Sequence, residues 1–413
     1  MVSTSSLEIL IQEFFRHYSD RQYRFVLAFS GGLDSCVLLH LLQKTLPVNN
    51  LLAWHVHHGL LDCADDMALF CQKKAAEYRI DFRLSHLNLD GTLSNLESIA
   101  RNARYIEFER GLIDSDLLLT AHHADDQVET FFLNLFRGSG SAGLRGIARQ
   151  RKLSNNEILR PLLEVPRSTL SDYADRHSIE WFEDPSNQSN RFDRNYLRHH
   201  VIPGIKQRWP GMLKSIRRVC QIQSETQQIL NEVAESDYRL CQPGPMRLDK
   251  NVLINLTTAR QKNLILYWLR KNQLKSLPVG RLESLVTQLQ AQHQKNPRIQ
   301  SDGYEIRIYN DQLFIVKPLE VMHAEDSYSF DDKDELVLPA LKARLSRKEI
   351  FQHMGIPDTN QKIHIGFRSK NKPRASEKHR LKRLFQKHRI PPWMRDRTPL
   401  VFIDGEFKDI LVL

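Results

Sequence analysis

The sequence predicts an α/β protein: an N-terminal doubly wound parallel sheet, then a mainly helical middle domain, then a small α+β C-terminal domain. Three observations carry this reading. Apolar runs of strand length alternate with amphipathic helical runs over the first third of the chain. A Gly-Gly turn joins the first such strand to its helix. Beyond Pro203–Pro210 the alternation stops, and helical periodicity takes over from about Lys214 to Gln290.

The chain opens with an amphipathic helix (Leu7, Leu10, Ile11, Phe14, Phe15), not with the charged-then-apolar order of a signal peptide. Strands are predicted at Arg24–Phe29, Leu51–His57, Asp81–Asn88 and Leu117–Ala121. Helices are predicted at Cys36–Lys44, Asp62–Tyr78, Asn95–Leu112 and Ala124–Arg137, with Ser94-Asn95-Leu96-Glu97 as a capping box on the third. Strands apolar throughout imply a sheet covered on both faces, whose ligands gather at the carboxyl ends of the strands. The turn at Ser30, His55–Gly59 and Thr120–Asp126 all fall at such ends and are expected to share one crevice. Downstream, Tyr304–Tyr309 and Gln312–Lys317 read as a hairpin around Asn310-Asp311, and His323–Glu335 as an acidic linker. Leu400–Ile403 and Glu406–Leu413 flank Asp404-Gly405 in a closing hairpin. The expected domains are 1–213, 214–322 and 336–413.

Five widely spaced cysteines (Cys36, Cys63, Cys71, Cys220, Cys241) include no CxxC pair, so neither a disulfide framework nor a zinc or iron–sulfur site is indicated. No apolar run approaches membrane-spanning length. A cytoplasmic protein without a membrane partner is expected. The net charge of +10 is concentrated: twelve Lys/Arg against Glu377 and Asp396 lie between Arg368 and Arg397, an excess equal to that of the whole chain. Such a run around Trp393 reads as a surface for phosphate backbone, though a solvated basic helix would look the same.

Ser30-Gly31-Gly32-Leu33-Asp34-Ser35 joins a strand to a helix, where backbone N–H groups and the helix dipole favour an anion. The glycines permit close approach of phosphate. Asp34 would repel a polyphosphate unless a cation lay between, which suggests a Mg²⁺ ligand. The lysine of a Walker loop is absent. In Thr120–Thr130, Asp126 and Glu129 stand three apart and share a helix face, suited to a metal or to an amine's ammonium, although helix N-terminal acids would also serve the macrodipole. His122 and His123 are placed to touch phosphate or substrate. His55 and His57 alternate with Val56 and suit nucleotide contact better than zinc. Arg101 and Arg104 share one helical side and suit phosphate charge in a transition state.

The ordered set SGGLDS, HVHHGL, ESIARNARY, TAHHADDQVET and Arg137-Gly138-Ser139-Gly140 resembles the PP-loop ATP pyrophosphatase superfamily (adenine-nucleotide α-hydrolase-like fold). More narrowly, it resembles the tRNA(Ile)-lysidine synthetase family. Arg160-Pro161-Leu162-Leu163, Arg167, Glu183-Asp184-Pro185 and Arg194-Asn195-Tyr196-Leu197-Arg198 continue the likeness to Pro203. It returns at Leu381–Phe385 and Ile390–Trp393 with Arg395, in the longer form with a C-terminal domain. The resemblance implies a ligase that uses ATP and Mg²⁺ to adenylate C2 of the wobble cytidine in the CAU anticodon of tRNA(Ile). L-lysine then displaces AMP. It implies Asp34, Arg104, Asp126 and Glu129 as catalytic, with Ser30, Gly31, Gly32, Leu33, Asp34, Ser35, His55, His57 and Gly59 on ATP and Asp34 on the metal. Arg101, His122, Arg137, Gly138, Gly140, Arg194, Arg198, Lys382, Arg383, Trp393 and Arg395 would hold substrate. A homodimer is left open. The runner-up is another PP-loop tRNA-modifying enzyme, such as a tRNA thiolase, against which the lack of a CxxC pair counts.

Overall fold

In the computed structural model the described residues are 4–18, 23–59, 63–87, 96–185, 193–290, 298–318, 327–330, 335–338, 341, 343–355, 362–368 and 377–412. The chain divides into two compact units, Met1–Ile229 and Leu230–Leu413. The expected capping box at Ser94 lies outside the described residues.

The first unit contains α1 (Thr4–Arg16), β1 (Arg24–Ala28), α2 (Leu33–Thr45), β2 (Leu51–His57), α3 (Ala64–Glu77), β3 (Asp81–His86), α4 (Leu96–Gly111), β4 (Asp116–Leu119), α5 (Ala124–Phe136), α6 (Ser141–Leu144), β5 (Gln150–Leu153), β6 (Asn156–Leu159), α7 (Arg167–Arg176), α8 (Asp193–Tyr196), a wide π-type turn at Leu197–Val201 and α9 (Ile202–Arg208). The sheet order is β3-β2-β1-β4-β6-β5. All neighbours are parallel except β5, an antiparallel edge on β6. Alternation sends Phe25, Leu27, Leu51 and Ala53 into one core with α1 and α2, and Val26, Leu52, Trp54 and Val56 into another with Phe108 and Leu118. Both faces are therefore buried, as apolar strands require.

Strand order reverses between β1 and β4, so the loops that follow these two strands flank the switch-point crevice. Helix α2 begins at Leu33, not at Cys36, with Gly32 as its N-cap. Asp34 and Ser35 thus belong to its first turn. The hairpin β5–β6 was not legible in sequence because Gln150, Arg151 and Lys152 are exposed on an edge and show no apolar alternation.

Helix α10 (Met212–Cys241) spans 30 residues. The second unit continues through β7 (Arg247–Asp249), α11 (Lys250–Ile254), α12 (Thr258–Lys271), α13 (Val279–Gln290), β8 (Arg298–Ser301), β9 (Tyr304–Tyr309), β10 (Gln312–Val316), β11 (Ser327–Ser329), β12 (Glu335–Leu338), β13 (Ala343–Ser346), α14 (Arg347–Met354), β14 (Ile363–Gly366), α15 (Lys378–Lys387), β15 (Leu400–Ile403) and β16 (Glu406–Ile410). The middle region is helical with an antiparallel sheet β7-β10-β9-β8, and the C-terminal region is built on β11-β14-β15-β16. Both predicted hairpins form, with Asn310, Asp311, Asp404 and Gly405 at positive φ in their turns.

The linker expected at His323–Glu335 is not a linker throughout. Ser327–Ser329 pairs with β14, and Phe330 is 1% exposed in the C-terminal core. Two aromatic residues, Tyr328 and Phe330, in an acidic stretch were too little signal to outweigh its charge.

Candidate active site

A cleft of about 820 Å³ opens at the carboxyl ends of β1, β2 and β4. The phosphate-loop turn forms one wall. Gly31 takes φ +82°, and a Cβ there would come within 2.8 Å of the Cys71 Sγ packed beneath it. The Gly31 carbonyl accepts from the Phe182 N–H at 2.9 Å and the Cys36 thiol at 3.2 Å, which tie down the turn. Ser35 Oγ donates to the Gly32 carbonyl at 2.9 Å and lies 3.0 Å from Ser30 Oγ. The first bonded helical N–H is that of Cys36, to the Gly32 carbonyl. The N–H groups before it have no helical acceptor and suit an anion.

Asp34 stands in this first turn. Its Oδ1 is buried without a hydrogen-bond partner, 3.9 Å from Arg167 Nε. An orphaned carboxylate oxygen beside a phosphate cradle fits Mg²⁺, which binds through one or two carboxylates plus substrate phosphates and water. No cluster of three or more His, Cys, Asp or Glu suited to a metal occurs among the described residues.

The opposite wall comes from α5, α8 and the turn that follows. His123 caps α5 in a reciprocal box: its N–H donates to Asp126 Oδ2 at 2.9 Å, and its Nδ1 accepts from the Asp126 N–H at 3.4 Å. Its Nε2 points between Asp34 and Asp126, 3.5 Å from an oxygen of each. Burial opposes charge on this ring, but Asp34 and Asp126 outweigh it and raise its pKa. Burial also pushes the Asp126 carboxyl up, yet His123 and Arg194 hold it at about 2. His122, 2.8 Å from Thr120 Oγ1, is driven down to about 3 chiefly by burial, and so is neutral.

Arg194 and Arg198 meet the carboxylates directly. Arg194 donates to Asp126 Oδ1 at 2.7 Å and to Glu129 Oε2 at 2.6 Å. Arg198 donates to Glu129 Oε1 at 2.6 Å and Oε2 at 3.1 Å. The sequence reading placed these arginines on substrate and left the carboxylates to a metal or an amine; here the two sets are paired. The helical turn at Asp193–Val201 brings the arginines, four apart, onto one face toward α5.

The structure gathers Ser30, Gly32, Leu33, Asp34, Ser35, His55, Arg101, Arg104, His122, Asp126, Arg194 and Arg198 around the cleft. His57 turns aside to Asp65 at 3.0 Å and packs against His86. Its neighbour His58 lines the cleft instead, with a buried Nδ1 lacking a hydrogen-bond partner. Gly59 is an exposed turn residue at φ +65°. Arg137 reaches Asp193 at 4.0 Å, Gly138 sits exposed at φ +67°, and Gly140 caps α6. Gln127 fixes the loop that follows, accepting from the Ile147 N–H at 2.5 Å.

In the second unit, Lys382 and Arg383 are exposed on α15. Trp393 packs edge-on against Tyr309 and Phe314 beneath the Arg307 guanidinium, and Arg395 lies over Phe385 and donates to the Ile390 carbonyl. The residues that sequence reasoning passed over are His58, Arg167 as a neighbour of Asp34, and His123 as the link between Asp34 and Asp126. Only the doubled histidines of HVHHGL and AHHADD hinted at the first and last.

A phosphate turn at the switch point of a parallel sheet, with a lone acidic residue in its first turn, defines a PP-loop nucleotide enzyme. Residues 3–205 match the PP-loop domain family, residues 248–314 the TilS substrate binding domain and residues 364–410 the TilS substrate C-terminal domain. The tRNA(Ile)-lysidine synthase of Serratia proteamaculans is 36% identical, covering 92% of this chain and 89% of that protein. That of Coxiella burnetii is 35% identical, covering 92% and 86%. Among solved structures, the U34-tRNA thiolase NcsA from Methanococcus maripaludis, with its [4Fe-4S] cluster, is 21% identical with a TM-score of 0.46, over 52% of this chain and 78% of that one. The chain belongs to the tRNA(Ile)-lysidine synthase family, ATP-dependent ligases of the PP-loop class.

Proposed function

We propose that the cleft joins L-lysine to C2 of the wobble cytidine in the CAU anticodon of tRNA(Ile), using ATP with Mg²⁺ in the cytoplasm. The observation that carries this is the pairing of a phosphate cradle with a carboxylate–arginine wall across one cleft. In the first step the cytidine O2 attacks the α-phosphorus of ATP and pyrophosphate leaves. The N–H groups of the Gly32–Ser35 turn and the Ser30 and Ser35 hydroxyls hold the polyphosphate, while Arg104 and Arg101 face the developing charge. Asp34 would hold Mg²⁺, which when bound supplies positive charge to the leaving pyrophosphate.

In the second step the lysine ε-nitrogen attacks C2, the C2–O bond breaks, and AMP leaves with the electron pair. Asp126, facing the cleft, recognises the lysine amine, while Glu129 behind it holds Arg194 and Arg198 in place. The anticodon loop is already single-stranded, so presenting its base costs little. Lys382 and Arg383 on α15, exposed and basic, supply phosphate contacts to the tRNA. The test is the half-reaction. With ATP and unmodified tRNA(Ile) but no lysine, pyrophosphate should be released in proportion to enzyme while AMP stays bound to the tRNA. Pyrophosphate release that ignores the tRNA would refute this order of events.

A further inference from the structure

Two buried carboxylates facing a bound amine would hold it as an ammonium, which has no lone pair with which to attack. The wall found here is not acidic. Asp126 and Glu129 face Arg194 and Arg198 at 2.6–3.6 Å, two charges of each sign. The other titratable neighbours are His123, between Asp126 and Asp34, and Asp125, which lies 3.9 Å from His123 Nδ1 and 3.7 Å from Lys206 Nζ. Neutral His122 also adjoins Asp126, and the Arg101 guanidinium lines the same cleft.

We propose that Arg194 and Arg198 are charge-balancing positioning residues, which offset the field of Asp126 and Glu129 so that the ε-amine of bound lysine gives up its proton to become nucleophilic more readily than it would against unpaired carboxylates. This rests on the reading that lysine docks against the Asp126 wall. Asp126, which lines the cleft, then serves as an oriented hydrogen-bond acceptor for the amine N–H groups and not as a net negative charge. The amine lone pair forms the C–N bond, the C2–O pair departs with AMP, and the surplus proton on nitrogen passes to solvent. A cationic neighbour that lowers an amine's pKa is an established way of activating it.

The experiment is the pH dependence of lysine transfer by the full chain, with kcat and lysine KM measured separately. In Arg198→Gln the ascending limb should move up by about one pH unit, a roughly tenfold loss at neutral pH recovered at high pH. The lysine KM should fall, because the ammonium now binds better. Arg198→Lys keeps the charge and should keep the wild-type limb. An equal loss at every pH, or a raised lysine KM, would overturn the proposal. Asp126→Asn separates the underlying reading: if its lysine KM equals that of the wild type, lysine does not dock there at all. Should the glutamine variant fail to fold, ¹⁵N NMR of ε-labelled lysine on the unaltered protein decides. A bound amine titrating below the free value of about 10.4 supports the proposal, and one at or above it refutes it.

Discussion

Arg198 grips Glu129 by both carboxylate oxygens, and Glu129 is 1% exposed. Such a pair adds little when intact but leaves an uncompensated buried charge when one partner is removed. Glu129→Ala leaves Arg194 and Arg198 with Asp126 as their shared carboxylate, at 2.7 and 3.6 Å, and the expected loss is about 1–3 kcal/mol of unfolding free energy. Chemical denaturation of the variant and the wild type would measure it. A change below about 1 kcal/mol would mean that the pair is solvated in solution.

Asp34→Ala removes a carboxylate whose Oδ1 has no hydrogen bond to lose and whose charged contacts are long, His123 at 3.5 Å and Arg167 at 3.9 Å. Adenylation should fall by about two to three orders of magnitude, with thermal stability close to that of the wild type. A pyrophosphate-release assay alongside a melting curve separates these effects.

Gly31→Ala confronts both the positive φ and the Cys71 sulfur in the Cβ position. We expect about 1–3 kcal/mol of destabilisation, with weaker ATP binding because the turn must open. Gly280→Ala, where a Cβ would meet open space, is the matched control.

His122 is neutral in the folded protein because burial drives its pKa down to about 3. The unfolded chain takes up a proton near pH 6.5 that the folded chain refuses, so this residue destabilises the protein as pH falls from about 6.5 toward 3. Above pH 6.5 it has no effect. Melting temperatures between pH 7 and 5 should fall more steeply for the wild type than for His122→Gln, and equal slopes would contradict the assignment.

Charge reversal at Lys382 and Arg383 should weaken tRNA binding and reduce the slope of log affinity against log salt by about two, while tRNA bound at saturation is still adenylated. An unchanged slope would place the phosphate contacts elsewhere.

The central strands of the ATP-binding half were legible because a sheet buried on both faces needs apolar residues almost throughout, and β1, β2 and β4 provide them, whereas the edge strand β3 is mixed and largely exposed. The glycine turn was legible because glycine adopts the positive φ of residue 31 without strain and leaves room for the Cys71 sulfur. What stayed hidden depended on residues distant in sequence. Nothing in Arg194-Asn195-Tyr196-Leu197-Arg198 announces that its arginines lie on Glu129, some 65 positions earlier. Likewise His57 and His58 are adjacent, and only the path of the chain after β2 decides which lines the cleft. The strand β11 was masked by the acidic residues around it.

The central claim is tested most directly by incubating the full chain with ATP, Mg²⁺ and radiolabelled lysine, using unmodified CAU-anticodon tRNA(Ile) and, separately, initiator methionine tRNA. Stable label on tRNA(Ile) alone is the predicted result. Label on neither tRNA, with AMP and pyrophosphate still released, would contradict the assignment of lysine as the nucleophile.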